Sequence, residues 1–357
     1  MSGAPTKSAR KLEYLFMKDS VERNERAMFC SAIECKPIDP WTTSASGSFA
    51  LGWGRYDESV DQSNLQWQSK AVLLLVLPAV AVDAVFEARW WSAQATSVAI
   101  WTLGLSALLG LFAWTARSAT SGAAFTGAAI TASLMFSTTM TFPYEPWRTG
   151  LTPVLAVLIL TSISTGLGRR HKEHLGTAES RRGRKASQVA ANLGVAALVS
   201  SGVAQRWQIN QSWLKLPTLS PSAVFTAGLA ALCEAAADTV SSELGQLLDS
   251  RPRLITTLRV AETGTDGAIS LGGTMAGVVA AGVVALVGAA ALRGDPVVFY
   301  VSWVGGVFGL LFDSVLGATL ERRGWLNNDA VNFLSTASAA AFALAALPML
   351  AQTNMLH

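Results

Sequence analysis

Residues 234–277 read EAAADTVSSELGQLLDSRPRLITTLRVAETGTDGAISLGGTMAG. An alanine-rich apolar run carries Glu234, Asp238, Ser241, Ser242 and Glu243. It breaks into a loop holding Arg251, Arg253 and Arg259, turns through Gly264-Thr265-Asp266-Gly267, and resumes as a second apolar run. Carboxylates inside a helix apolar enough for lipid are costly, so they mark candidate functional positions. Two membrane helices joined by a polar, glycine-turned loop is the reading that sets the class of the whole chain.

Composition agrees. Of 357 residues, 51% are hydrophobic and 14% charged, outside the usual range for a soluble domain. The apolar residues come in runs near the length that spans a hydrocarbon core of roughly 30 Å. Glycine and alanine are frequent in those runs, as expected where helices pack closely in lipid. The predicted fold class is therefore all-α, a polytopic transmembrane bundle. Nine spans are expected, at 71–88, 92–115, 121–140, 149–168, 188–205, 222–247, 268–292, 297–320 and 329–352. The third, SGAAFTGAAITASLMFSTTM, is rich in Ser, Thr and Gly, which suits a re-entrant or deeply buried helix better than a lipid-facing one.

Residues 1–69 are polar and mixed in charge, and are expected to form a disordered cytoplasmic tail ahead of a membrane domain over 70–357. No signal-peptide pattern is read at the start. Cys30 and Cys35 are read as free thiols; neither they nor Cys233 has a redox or zinc spacing.

With the N-terminus placed in the cytoplasm, the connections near 116–120, 169–187, 248–267 and 321–328 fall inside and hold thirteen Lys and Arg residues. The outside connections and span ends hold five. This asymmetry supports that orientation. It puts the basic loop GRRHKEHLGTAESRRGRK, the 248–267 loop and the RRGWLNND turn on the side where nucleotides are. At 1.5 Å rise per residue, Asp238 and Asp313 lie roughly 12 Å below the inner ends of their helices, and Asn192 and Asn332 enter from the same side. Glu234 and Asp238 share a helix face, whereas Glu243 points away from Asp238.

These groups suit a metal–phosphate site. Asp238, Glu243, Asp313 and Asp329 are oxygen ligands of the kind Mg²⁺ takes while bridging to substrate phosphates. Arg169, Arg170, Lys172, Arg253 and Arg259 can neutralise phosphate oxygens. The Gly264–Gly267 turn and the helix expected from Ala268 present backbone N–H groups to an anion. Plainer readings stand beside these: a basic loop serves as a topology signal, Asp313 and Glu234 serve as structural hydrogen-bonding groups, and His171 and His174 are solvated. No Walker A, protein-kinase or zinc pattern is present, and nothing points to a nucleic-acid partner.

The segments ADTVSSELG, RPRLITTLRVAETGTDGAISLGGTMAG and GGVFGLLFDSVLGATLERRGWLNNDAVNFLSTASAA, with STGLGRRHKE and RGRKASQVAANLGVAAL upstream, resemble the integral-membrane family of the "domain of unknown function 92", the transmembrane protein 19 and phytyl-phosphate kinase group. The resemblance covers roughly residues 95–350. It implies a membrane-embedded kinase that transfers a phosphoryl group from CTP, or another nucleoside triphosphate, to a prenyl monophosphate such as phytyl phosphate, with Mg²⁺. It implies an acidic motif at Asp238, Ser242 and Glu243, and a glycine turn at Gly264, Thr265 and Gly267 followed by Ser270. Further motifs fall on Asp313, on Asn328, Asp329 and Asn332, and on Arg169, Arg170 and Lys172 with Asn192 beyond. In that reading catalysis falls to Asp238, Glu243 and Asp313, and the metal to Asp238, Asp313 and Asp329. The prenyl tail is expected to stay in the bilayer between Gly- and Ala-lined helices. The expected location is a membrane, the inner or plasma membrane if the source is bacterial. A lipid-phosphate transporter or flippase, and a cytidylyltransferase forming a CDP-lipid, remain alternatives. No oligomeric state is assigned.

Overall fold

Each apolar run becomes a helix. A computed structural model describes residues 62–140, 142–175, 183–205, 219–248 and 251–354; the N-terminal tail with Cys30 and Cys35 lies outside them. The helices are α1 (Gln66–Gln94), α2 (Thr96–Thr115), α3 (Ser121–Ser137), α4 (Leu151–Gly166), the short α5 (Arg169–Leu175), α6 (Ala186–Ser200), α7 (Pro221–Leu248), α8 (Leu271–Ala291), α9 (Pro296–Leu316) and α10 (Asn328–Asn354). Seven of them, taking α6 on to Gln205 and α9 on to Glu321, are long and apolar enough to cross a membrane. Together with the shorter α3 and α4 they occupy the nine expected positions. The fold is an all-α polytopic membrane protein.

Two boundaries differ from expectation. Residues 62–69, expected in the polar tail, are helical, and α1 begins at Gln66. The helix expected from Ala268 starts at Leu271, because Ala268–Ile269 pair antiparallel with Arg253–Leu254 as a two-stranded ribbon, β1–β2. Ser270 then caps α8, its hydroxyl accepting from the Gly273 N–H at 3.1 Å.

Capping explains other starts. Thr120 accepts from the Ala123 N–H at the head of α3, and Asp295 accepts from the Val298 N–H, with Pro296 at the first position of α9. The third span is buried as its composition suggested, every residue from Ile130 to Phe136 being enclosed.

Helix α7 is the axis of the bundle. It is buried without interruption from Ala223 to Ala237, and α4, α6, α8, α9 and α10 all pack on it. Its alanines allow close approach, and the facing glycines complete it. A Cβ on Gly273 would lie 2.6 Å from the Ser241 carbonyl, and one on Gly277 would lie 2.8 Å from that of Ala237. On α9 a Cβ at Gly305 would stand 3.1 Å from Ala230. Such small-residue seams let dispersion act where no water is released. The outer helices carry the lipid-facing side chains, among them Leu108 and Phe112 of α2 and Val279 and Leu286 of α8.

The connections expected on one face do meet. Ala119 bridges to Arg184, with the Arg184 N–H donating to the Ser118 carbonyl and the Thr120 N–H donating to that of Arg184, both at 3.0 Å. The start of α1 joins the α9–α10 turn, where Gln68 donates to the Trp325 carbonyl and accepts from the Asn327 N–H, both at 2.8 Å.

The seam between α7 and α8 predicts that Gly273→Val lowers the unfolding temperature in detergent, at a cost of about 1–3 kcal/mol for overpacking. Gly104→Ala, at a position with open space around it, should not lower the unfolding temperature, Ala being the better helix former.

Candidate functional site

Polar groups from separate helices converge at the loop end of α7. They enclose a cavity of about 300 Å³. Asp238 comes from α7, Asp313 from α9, Asn192 from α6, and Asn328 and Asn332 from α10. The Gly264–Gly267 turn and Ser270 close it from the loop.

The turn is seated by two glycines. Gly264 and Gly267 both adopt positive φ, +88° and +69°, a conformation that glycine holds without a steric penalty. Gly267 also lies against the Gly317–Ala318 backbone, with no room for a Cβ on either glycine. There α9 widens into a single π-turn, Gly317–Glu321, a distortion that recurs at functional positions. It swings Glu321 into the cavity wall beside Asp266. Asp266 stands at the mouth; the crowding of the cavity walls raises its carboxyl pKa, and Arg322 opposes that rise.

Deeper in, the Asn332 amide donates to the Asn192 carbonyl oxygen at 3.0 Å, fixing both side chains. Among the described residues, Asp313 Oδ1 and both oxygens of Glu234 are enclosed with no hydrogen-bond donor. The nearby Ser335 hydroxyl donates instead to the Asn332 carbonyl at 3.0 Å. A buried carboxylate oxygen left unsatisfied is costly and fits a position that a bound cation completes. Arg184 lines the same cavity as Asp238.

The cavity excludes several residues expected in the site. Lys172 is buried and bound to the Ser164 and Thr165 carbonyls at 3.1 and 3.0 Å and to the Glu243 carboxylate, which also accepts from the Thr165 hydroxyl. Lys172 and Glu243 therefore tie α5 and α4 to α7. Arg253 is exposed and donates to the Leu258 carbonyl at 2.9 Å, and Arg259 is exposed in the loop between the two strands. Arg170 is exposed on α5, and Arg169 forms an exposed pair with Glu173 at 3.4 Å. Asp329 is buried in the first turn of α10 and does not line the cavity. No group of three or more acidic, His or Cys side chains is poised to hold a metal among the described residues. Asp238 and Asp313 fit an ion that takes most of its ligands from substrate and water, as Mg²⁺ does.

Sequence reading missed Arg184, Gln188, Gln246 and Glu321 of the lining. Arg184 stood in the basic loop, undistinguished from its neighbours. Glu321 becomes visible only through the π-turn.

These features define a polytopic helical membrane protein with a polar, acid-lined cavity at the end where its basic loops gather. The integral membrane protein DUF92 family model matches residues 104–340, and the chain belongs to that family. It is 34% identical over 210 residues to an uncharacterized membrane protein of Synechocystis, 56% of this chain and 73% of that one. It is 30% identical over 197 residues to the chloroplastic protein VTE6 of Arabidopsis thaliana, 53% of this chain and 57% of that one. An uncharacterized membrane protein of Methanocaldococcus jannaschii is 47% identical over 108 residues, 30% of this chain and 45% of its own length. No solved structure matches.

If Lys172 and Glu243 are a structural tie, Lys172→Met should cost about 2–3 kcal/mol by leaving the half-buried Glu243 carboxylate with the Thr165 hydroxyl but no cation. Adding Glu243→Gln should restore most of that loss in an unfolding titration in detergent. A phosphate-binding Lys172 would instead lower activity with stability unchanged.

Proposed function

We propose that this protein is a membrane-embedded phosphotransferase that moves the terminal phosphoryl group of CTP, or another nucleoside triphosphate, onto a prenyl monophosphate such as phytyl phosphate, giving the diphosphate. The observation that carries the reading is the convergence of Asp238 and Asp313, the latter with an unsatisfied oxygen, on a glycine turn at the loop end of a membrane bundle. The resemblance of the acidic, glycine-turn and Asn-Asp motifs to the phytyl-phosphate kinase group supports it.

The chemistry asks little of a nucleophile. A phosphate oxygen of the acceptor, already anionic at neutral pH, donates its electron pair to the terminal phosphorus. The bond from that phosphorus to the bridging oxygen breaks, and the nucleoside diphosphate leaves with that pair. No base is required to create the attacking group, so the barrier lies in bringing two anions together, a task of positioning and charge neutralisation. Asp238 and Asp313 would hold Mg²⁺, which would neutralise the donor phosphates. The Gly264–Gly267 turn lines the same space and would bring backbone N–H groups near an anion bound there. Asn192 and Asn332, locked to each other, offer fixed amide dipoles for orienting a phosphate. In the proposed orientation the basic connections and this cavity face the cytoplasm, where the nucleotide is.

Purified protein with Mg²⁺, terminally labelled CTP or ATP and a panel of phytyl, geranylgeranyl and farnesyl monophosphates should pass label to a prenyl diphosphate. Asp238→Asn and Asp313→Asn should each lower turnover by about 100-fold or more, the scale for losing a preorganised charge contact, with unfolding temperature preserved. Cytidine entering the lipid while label leaves as pyrophosphate would make the protein a cytidylyltransferase and end the kinase reading. Normal turnover by Asp238→Asn would remove the metal assignment.

A further inference from the structure

A second cavity, of about 290 Å³, opens between α2, α3, α4 and α6. Its character changes along its length. At the loop end it is walled by Arg117, Arg169 and Arg184. Farther in it is walled by Leu109, Gly127, Val154 and Leu158. Along α3 the lining runs from Ala123 to Thr131 and along α4 from Gly166 back to Val154, the latter a depth of roughly 18 Å at 1.5 Å per residue.

The two cavities meet. Arg184 and Asn192 line both. The Arg184 backbone is held from both sides by Ser118 and Thr120. The Thr120 hydroxyl also donates to the Arg184 carbonyl at 3.2 Å. Asn192 is held by Asn332. The junction is thus a built partition, with Arg184 lining the acid-lined cavity on one side and the mouth of the apolar slot on the other.

We propose that the second cavity holds the tail of a single-chain isoprenoid monophosphate, with its phosphate gripped at the junction by Arg184 and backed by Arg117. The charge pattern suits a single-chain lipid anion, and the phosphotransferase reading makes that chain an isoprenoid. A slot that is apolar at depth and cationic at its mouth, in a protein surrounded by lipid, complements a molecule with one hydrocarbon chain and an anionic end. Arg offers bidentate contact to phosphate oxygens. Small residues (Ala113, Ala124, Gly127) make room for the chain. Seated this way, the acceptor phosphate faces the acid-lined cavity across Arg184, which lies where two phosphates would repel each other. The assignment rests on the phosphotransferase reading for its chemical role but on the second cavity alone for the lipid site.

The test is photolabelling of the full chain in phosphatidylcholine nanodiscs with farnesyl monophosphate bearing a diazirine at its tail end. Label is expected on peptides containing Leu109, Leu158 and Leu193. Excess farnesyl monophosphate should compete it away, and equal farnesol or inorganic phosphate should not. Gly127→Leu should displace the label; a Cβ there meets nothing closer than 3.8 Å, so the backbone need not move. Gly166→Leu, at a position with nothing within 4 Å, should hinder entry at the mouth and guards against a folding failure of the first variant. Arg184→Gln should reduce the preference for phosphate over alcohol about tenfold or more, the worth of a charged hydrogen bond. Label spread over the outward faces of α1 and α2, or unmoved by these variants, overturns the proposal even if phosphoryl transfer is found. Label in the second cavity without nucleotide consumption upholds the lipid-phosphate site and removes the kinase reading.

Discussion

The polar end of this bundle depends on how closely α8 and α9 approach α7. Asp238 and Asp313 belong to different helices, and neither could meet the other across an ordinary separation filled by Leu or Phe. The glycines of α8 and α9 facing Ala230, Ala237 and Ser241 bring the backbones together. Lipid supplies no hydrophobic force between helices, so this approach is held by packing and a few polar contacts. The Trp303 indole N–H, donating across to the Val278 carbonyl at 2.9 Å, is one such contact. Close packing runs along most of the bundle, and among the described residues the acid-lined cavity lies at the loop end.

The same constraint shapes the loop. With backbone groups to satisfy near the membrane surface, the segment after α7 folds as a ribbon, and its glycine turn docks on the π-turn that follows α9. The fit of Gly267 against Gly317 and Ala318 ties loop and helix into one wall. On the other side, the pairing of Ser118, Thr120 and Arg184 fixes the partition between the polar and apolar cavities. The site is thus assembled from backbone contacts first, and side chains are hung on a frame already closed.

Much of this was legible in the chain. Nine apolar runs, with basic residues concentrated in alternate connections, carry the architecture because hydrocarbon thickness admits few alternatives. Asp238, Asp313, Asn192, Asn328 and Asn332 stood out because polar groups in such runs are rare for energetic reasons, and they do line one cavity. The basic residues were less readable. Charge alone could not separate Lys172, consumed by Glu243 and two carbonyls, from Arg184, which faces the cavity. That difference is set by tertiary partners. Glu243 was readable in part, since helical geometry already turned it from Asp238. Glu321 was not, because a π-turn changes which face a residue occupies and leaves no periodic signature.

The central claim is that a nucleotide's phosphates enter the acid-lined cavity from the loop side. Its most direct test is thiol accessibility at Ser242→Cys, an exposed position on the cavity rim, in a chain with Cys30→Ser and Cys35→Ser and with Cys233 buried. A membrane-impermeant maleimide applied to sealed vesicles of each orientation should label this cysteine only from the cytoplasmic side. Nucleoside triphosphate with Mg²⁺ should slow that labelling, and nucleoside triphosphate with chelator should not. Labelling from the opposite side, or at a rate indifferent to nucleotide and Mg²⁺, would contradict the account.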